Sequence, residues 1–139
     1  MLVIAPTGQV IRELHTDGPI RGAVAVTPTG NVLVPSEDGS VYAFDAQGTL
    51  LWKTRTTSAI DTSPAFGRDH NIYFGAFDTA LHAVDAGGTP KWTFLTHGAI
   101  NSSPAVSGDG TIFCARAPAI GPTGEVVVGS RDGSVYCFR

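Results

Sequence analysis

Along most of the chain, apolar residues come in short runs broken by clusters of Gly, Asp, Asn, Thr and Pro. Within residues 59–98 the runs are Ser63-Pro64-Ala65-Phe66, Ile72-Tyr73-Phe74-Gly75, Ala80-Leu81-His82-Ala83-Val84 and Pro90-Lys91-Trp92-Thr93-Phe94. They are rich in β-branched and aromatic side chains, too short for helices and bounded by turn residues, so they predict strands. Arg68-Asp69-His70-Asn71 and Gly108-Asp109-Gly110-Thr111 make a first kind of turn, and Asp38-Gly39 and Asp132-Gly133 a second. Asp-Gly predicts a type I′ hairpin, whose two central residues both take positive φ. Strands joined by such tight turns pair with their neighbours in sequence, which gives antiparallel meanders.

The pattern repeats. With the chain laid on itself at a shift of 40, Ile20, Ile60 and Ile100 coincide, as do Ala25, Ala65 and Ala105, and Gly8, Gly48 and Gly88. Asp45 falls on Asp85, Trp52 on Trp92, and Ser63-Pro64-Ala65 on Ser103-Pro104-Ala105. A period of ~40 residues holds four short strands and their turns, the length of one propeller blade. The expected fold is all-β: four-stranded antiparallel blades, about three and a half per chain.

The register breaks in the third repeat. Pro118-Ala119-Ile120 through Ser134-Val135-Tyr136-Cys137-Phe138 matches Val24-Ala25-Val26 through Ser40-Val41-Tyr42-Ala43-Phe44 at a shift of 94, not three periods. About 26 residues are therefore missing after Ala115, those that would supply a third and a fourth strand. The expected divisions are the end of a blade at 1–19, blades at 20–58 and 59–98, a half blade at 99–115, and a blade at 116–139 lacking its fourth strand. Ile4 to Arg12 aligns with Phe44 to Trp52, so residues 9–15 are candidates to complete that last blade and hide two sheet edges. One N-terminal strand, two sets of four, two and three total fourteen, and two copies would offer twenty-eight strands, enough for a seven-blade ring.

Composition narrows the function. The 139 residues are 42% hydrophobic and 15% charged, enough for a folded core, and 17 Gly and 9 Pro against one Met weigh against a helical bundle. Net charge is −3 and the nine Lys and Arg are scattered, so nucleic-acid binding is not expected. No apolar run approaches the ~20 residues of a membrane span. Met1 to Pro6 is too short and uncharged for a signal peptide, so the sequence as written predicts a cytoplasmic protein. Cys114 and Cys137 lie in apolar strand-like runs and read as small buried hydrophobes.

The frame Ala43-Phe44-Asp45-Ala46-Gln47-Gly48-Thr49-Leu50-Leu51-Trp52, repeated as Ala83-Val84-Asp85-Ala86-Gly87-Gly88-Thr89-Pro90-Lys91-Trp92, resembles the tryptophan-docking repeat of the quinoprotein-type (PQQ-like) β-propellers. The resemblance covers essentially the whole chain. It implies that Trp52 and Trp92, with Asp45 and Asp85, knit each blade to the next. Proteins of this type include quinone-dependent dehydrogenases, an outer-membrane assembly lipoprotein and sensor domains, most of them periplasmic or extracellular. A fragment of a longer exported protein would reconcile that with the missing leader. The dehydrogenases carry adjacent cysteines and Glu, Asn and Asp ligands for calcium. This chain has no adjacent cysteines and too few blades to enclose a quinone, so no cofactor is expected.

Catalytic groups are not evident either. His15 takes the slot of Arg55, His70 lies in a first turn, His82 takes the slot of Tyr42 and Tyr136, and His97 lies in an inter-blade loop. None recurs at metal-ligand spacing. The Asp-Gly turns are too short for a calcium loop, and no phosphate loop or nucleophile elbow is present. The position after the repeated Ile is more informative, since it varies as Arg21, Asp61 and Asn101. First strands of propellers line the central channel, so these three ring its mouth and are the ligand-binding candidates, with His97 and Arg116 beside them. The expected function is non-catalytic: an interaction module presenting loops to a protein or a small ligand, as a dimer or as part of a larger propeller. The alternatives are a fragment or decayed relative of a quinone-dependent dehydrogenase, and a truncated propeller with no independent function.

Overall fold

The computed structural model describes residues 1–96 and 98–114, and the backbone of three further strands at 116–120, 126–129 and 135–138. These residues form fifteen strands and no helix. The hairpin β1 (Leu2–Ile4) and β2 (Val10–Glu13) comes first, then a sheet of β3 (Ala25–Val26), β4 (Val32–Ser36), β5 (Ser40–Phe44) and β6 (Leu50–Arg55) in that order. A second four-stranded sheet holds β7 (Ala65–Phe66), β8 (Ile72–Gly75), β9 (Ala80–Val84) and β10 (Pro90–Leu95). Next come the pair β11 (Ala105–Val106) and β12 (Ile112–Phe113), and a three-stranded sheet of β13 (Arg116–Ile120), β14 (Val126–Gly129) and β15 (Val135–Phe138). Every pairing is antiparallel between strands consecutive in sequence, the meander of a propeller blade.

Two details differ from the sequence reading. The N-terminal segment supplies two strands rather than one, and β2 pairs with β1, not with β15. The Asp38-Gly39 turn is also not type I′. Ser36 pairs with Ser40 across a three-residue loop, Gly39 N–H donates to Ser36 O at 3.1 Å, and only Gly39 has positive φ (86°). A type I turn closed by one left-handed residue accommodates the third loop residue, which the dipeptide alone does not reveal.

The same irregularity recurs where each fourth strand starts. Register slips between Ala43 and Phe44 opposite β6, between Pro90 and Trp92 opposite β9, and between Val3 and Ile4 opposite β2. Sequence frame and backbone frame thus coincide, the N-terminal hairpin included.

Burial explains why β4, β5, β8 and β9 are almost continuously apolar instead of alternating. These four central strands are covered on both faces. Leu33, Val41 and Ala43 face Ile60, Ile72, Phe74, Ala76 and Val84 in one core between the two four-stranded sheets. Val34, Tyr42 and Phe44 face the other way and pack with Leu14, Met1 and Val3 of the N-terminal hairpin. Side chains such as Phe74, Leu33, Ile60 and Ile72 are wholly buried, each contributing roughly 1.5–3 kcal/mol.

Candidate functional site

The loops leading into the first strands are built alike. Ile60 N–H donates to Ser36 O and Ile100 N–H to Ala76 O, both at 3.2 Å, anchoring each loop to the preceding sheet. Ile60 is fully buried, and Ile100 rests against Gly75, where any Cβ would lie 2.2 Å from Ile100 Cγ2. Ser hydroxyls then tie one loop to the next: Ala23 N–H donates to Ser63 Oγ at 2.9 Å, and Ser63 N–H to Ser103 Oγ at 2.8 Å. In the sequence these serines stand only as repeat markers. Their recurrence 40 residues apart was the available signal for this ladder.

On that scaffold the variable positions differ in kind. Arg21 is exposed and forms an ion pair through Nε with Glu37 Oε1. Asp61 is half-buried, with Oδ1 buried and without a hydrogen-bond partner. Asn101 is exposed. The three thus offer a cation, an anion and an amide at equivalent places on successive blades. His97 and the Arg116 side chain lie outside the described residues.

His82 and His70 have local explanations. His82 Nε2 lies 3.1–3.2 Å from both Asp78 oxygens and its ring stacks on Phe74 at 5.3 Å. One repeat earlier, Tyr42 donates to Asp38 Oδ2 and accepts from Asp17 N–H at 3.1 Å, while Lys53 bonds Asp17 Oδ2 at 2.7 Å and lies over the Tyr42 ring. The hydrogen bond to Asp17 pushes the Lys53 ammonium above its ordinary range. His70 occupies the left-handed place that Gly30 and Gly110 fill in the neighbouring repeats, with φ 63°. Cys114 is a free thiol whose pKa burial raises to about 11, far from a reactive thiolate. Among the described residues no three metal-ligating side chains gather.

The docking residues act in one place and not in another. Trp52 donates Nε1–H to Ala86 O at 3.0 Å and its indole covers Gly88, where an added Cβ would meet Trp52 Cδ2 at 2.5 Å. Asp45 and Asp85 each hold their turn through Oδ1, accepting from Gln47 and Thr49 N–H and from Gly87 and Thr89 N–H at 2.8–2.9 Å. Trp92 instead lies against Tyr73 of its own sheet at 5.7 Å and is 42% exposed. The turn it would need lies beyond the register break. In its place is an apolar cleft of about 720 Å³, lined by Leu81, Trp92, Phe94, Ile112 and Cys114. Sequence reasoning located the gap in the chain but not the cleft it leaves.

The family model described as outer membrane protein assembly factor BamB matches residues 2–139. No curated protein matches the chain. Among solved structures, the computationally designed Ika4 protein is similar at 23% identity and TM-score 0.73, over 94% of this chain and 98% of that one. The designed Ika8 protein is similar at 22% identity and TM-score 0.73, over 96% of this chain and 50% of that one. BamB from Moraxella catarrhalis is similar at 17% identity and TM-score 0.61, over 94% of this chain and 38% of that one. At these identities the structures speak to the fold alone.

Proposed function

Because this chain belongs to the BamB family of PQQ-like propellers, we propose that it is a non-catalytic interaction module that self-associates and presents its channel-mouth loops to a protein or small ligand. The supporting observation is the serine ladder: a repeated scaffold fixes Ser63 and Ser103 while changing the neighbouring side chain from Arg21 to Asp61 to Asn101. Constant backbone with variable chemistry suits recognition, because binding residues sit on loops held by a rigid frame. His82 is engaged in sheet packing and His70 in a turn, and the family description names an assembly factor. Self-association is supported by the exposed apolar side chains of β10, Phe94 at 63% and Leu95 at 73%.

Reconstitution with pyrroloquinoline quinone and calcium is the test of the non-catalytic reading. No turnover of alcohols or sugars is expected, and sustained turnover would overturn it. Light scattering at micromolar concentration is expected to give a mass about twice the 14.4 kDa of one chain. A monomeric mass would overturn self-association.

A further inference from the structure

The β11–β12 pair beside β10 and the N-terminal hairpin occupy complementary strand positions of the blade repeat. Resting on the self-association reading, we propose that the β1–β2 hairpin of a second copy seats in the apolar cleft at β10 and completes the β11–β12 sheet as its third and fourth strands.

The repeat frame identifies what the cleft lacks. β11 and β12 stand at the first and second strand positions, and their sheet stops at two strands. β1 and β2 stand at the third and fourth positions, and theirs also stops at two. An isolated two-stranded sheet is marginal in water, whereas four strands packed on both faces are stable. Val32 lies opposite Phe44 in the complete sheet, and Ile112 and Ile4 occupy those two places in the repeat. The joined blade therefore sets Ile112 of one copy opposite Ile4 of the other, and Ile4 is 56% exposed in the single chain.

The tryptophan seats give an independent match. Three turns between third and fourth strands share one geometry. At 85–89 the glycine is covered by Trp52; at 45–49 Gly48 is covered by Arg12 and Leu14, 2.9 Å from where a Cβ would stand. At 5–9 the hydrogen bonds are the same, with Ala5 N–H donating to Gln9 O and Gly8 N–H to Ala5 O at 2.9 Å, and Gly8 has φ 84°. Nothing approaches within 4 Å of the Gly8 Cβ position. One turn thus has an open seat, and Trp92 is half-exposed with no such turn against it among the described residues. Seating the hairpin brings Trp92 onto Gly8 as Trp52 sits on Gly88, with Pro6 O in the place of Ala86 O.

The donor is another copy because the chain's own hairpin is committed elsewhere. Leu14, Met1 and Val3 pack on Val34, Tyr42 and Phe44, the face of the β3–β6 sheet turned away from β7–β10, and the Met1 ammonium donates to Leu14 O at 2.7 Å. Exchange in both directions links two copies into six four-stranded blades, within the range at which propellers close. It also brings the partner's β3–β6 sheet to the place that β13 holds beside β11, so the β13–β15 sheet moves aside on assembly.

Two single-cysteine proteins test this, each in a Cys114→Ser, Cys137→Ser background: one carries Ile4→Cys, the other Ile112→Cys. Opposed residues of an antiparallel pair lie ~4.5–5.5 Å apart at Cα, within disulfide reach. Mixed and mildly oxidised, the two are expected to give a covalent heterodimer, and Ile4→Cys mixed with Val106→Cys, one strand further away, none. Trp92→Ala is expected to raise the dimer dissociation constant at least ~10-fold, as loss of a central aromatic anchor does. A dimeric mass without the Ile4–Ile112 crosslink would overturn this junction and leave self-association standing. A monomeric mass without crosslink would overturn both. A disulfide formed within one chain of the Ile4→Cys, Ile112→Cys double variant would replace the second copy with the chain's own hairpin and also overturn the proposal.

Discussion

At the scale of single residues, the repeats act as internal controls on one another. Thr79 holds the place of Gly39 but has φ 63°, a conformation that costs a β-branched residue ~1–2 kcal/mol. Thr79→Gly is expected to stabilise the protein by about 0.5 kcal/mol after the entropy of the extra glycine is subtracted. The gain would be read as a higher urea midpoint at unchanged slope. Trp52 is the opposite case. Trp52→Ala removes the bond to Ala86 O and uncovers Gly88. Thermal or urea unfolding is expected to show a loss of about 2–4 kcal/mol, below the roughly 3–5 kcal/mol of a fully buried Trp because this one is only half-buried. Trp52 was legible as a repeat position, and Thr79 was not. Only the backbone showed that one is satisfied and the other strained, because φ depends on loop length and not on the dipeptide.

At the scale of elements, the turns between strands are held by carboxylates. Hydrogen bonds from Thr49 N–H and Thr89 N–H hold Asp45 and Asp85 below their ordinary pKa, and the Ser107 hydroxyl with Thr111 N–H holds Asp109 at about 2. The unfolded chain, with ordinary carboxylates, binds more protons than the folded one in this window. The stabilisation is therefore fully present above about pH 4 and is lost as pH falls toward about 2. Denaturant midpoints should decline over that interval, and Asp45→Asn with Asp85→Asn should flatten the decline; a wild-type profile level from pH 5 to 2 would contradict it. Strand order and the fourth-strand frame were readable from spacing, since turns fix antiparallel pairing locally. The pairing of β1 with β2 was not, because three residues, Leu2–Ile4, carry too little periodic signal to declare a strand.

At the scale of the whole molecule, protection should be graded. β4, β5, β8 and β9 are buried on both faces, whereas the β1–β2 and β11–β12 sheets have two strands each. Hydrogen exchange is expected to be slowest in 32–44 and 72–84 and fastest in the two-stranded sheets, which open locally at lower free energy. Raising protein concentration is expected to slow exchange in both two-stranded sheets together and leave the central strands unchanged. Uniform protection at all concentrations would contradict this.

The sequence by itself determined the blade, its length and the place where the chain departs from its own period. Those properties follow from local turn chemistry and from apolar spacing, which are written in adjacent residues. Tertiary structure decided which repeat partners are satisfied. Arg12, Leu14 and Trp52 find their glycines and, among the described residues, Trp92 does not, because a docking contact joins residues some 34 to 36 positions apart and exists only where the next sheet supplies the turn. Tertiary structure also turned a gap of about 26 residues in the register into a cleft of about 720 Å³ with a definable shape. Missing strands leave no residues to read, only the surfaces they would have covered.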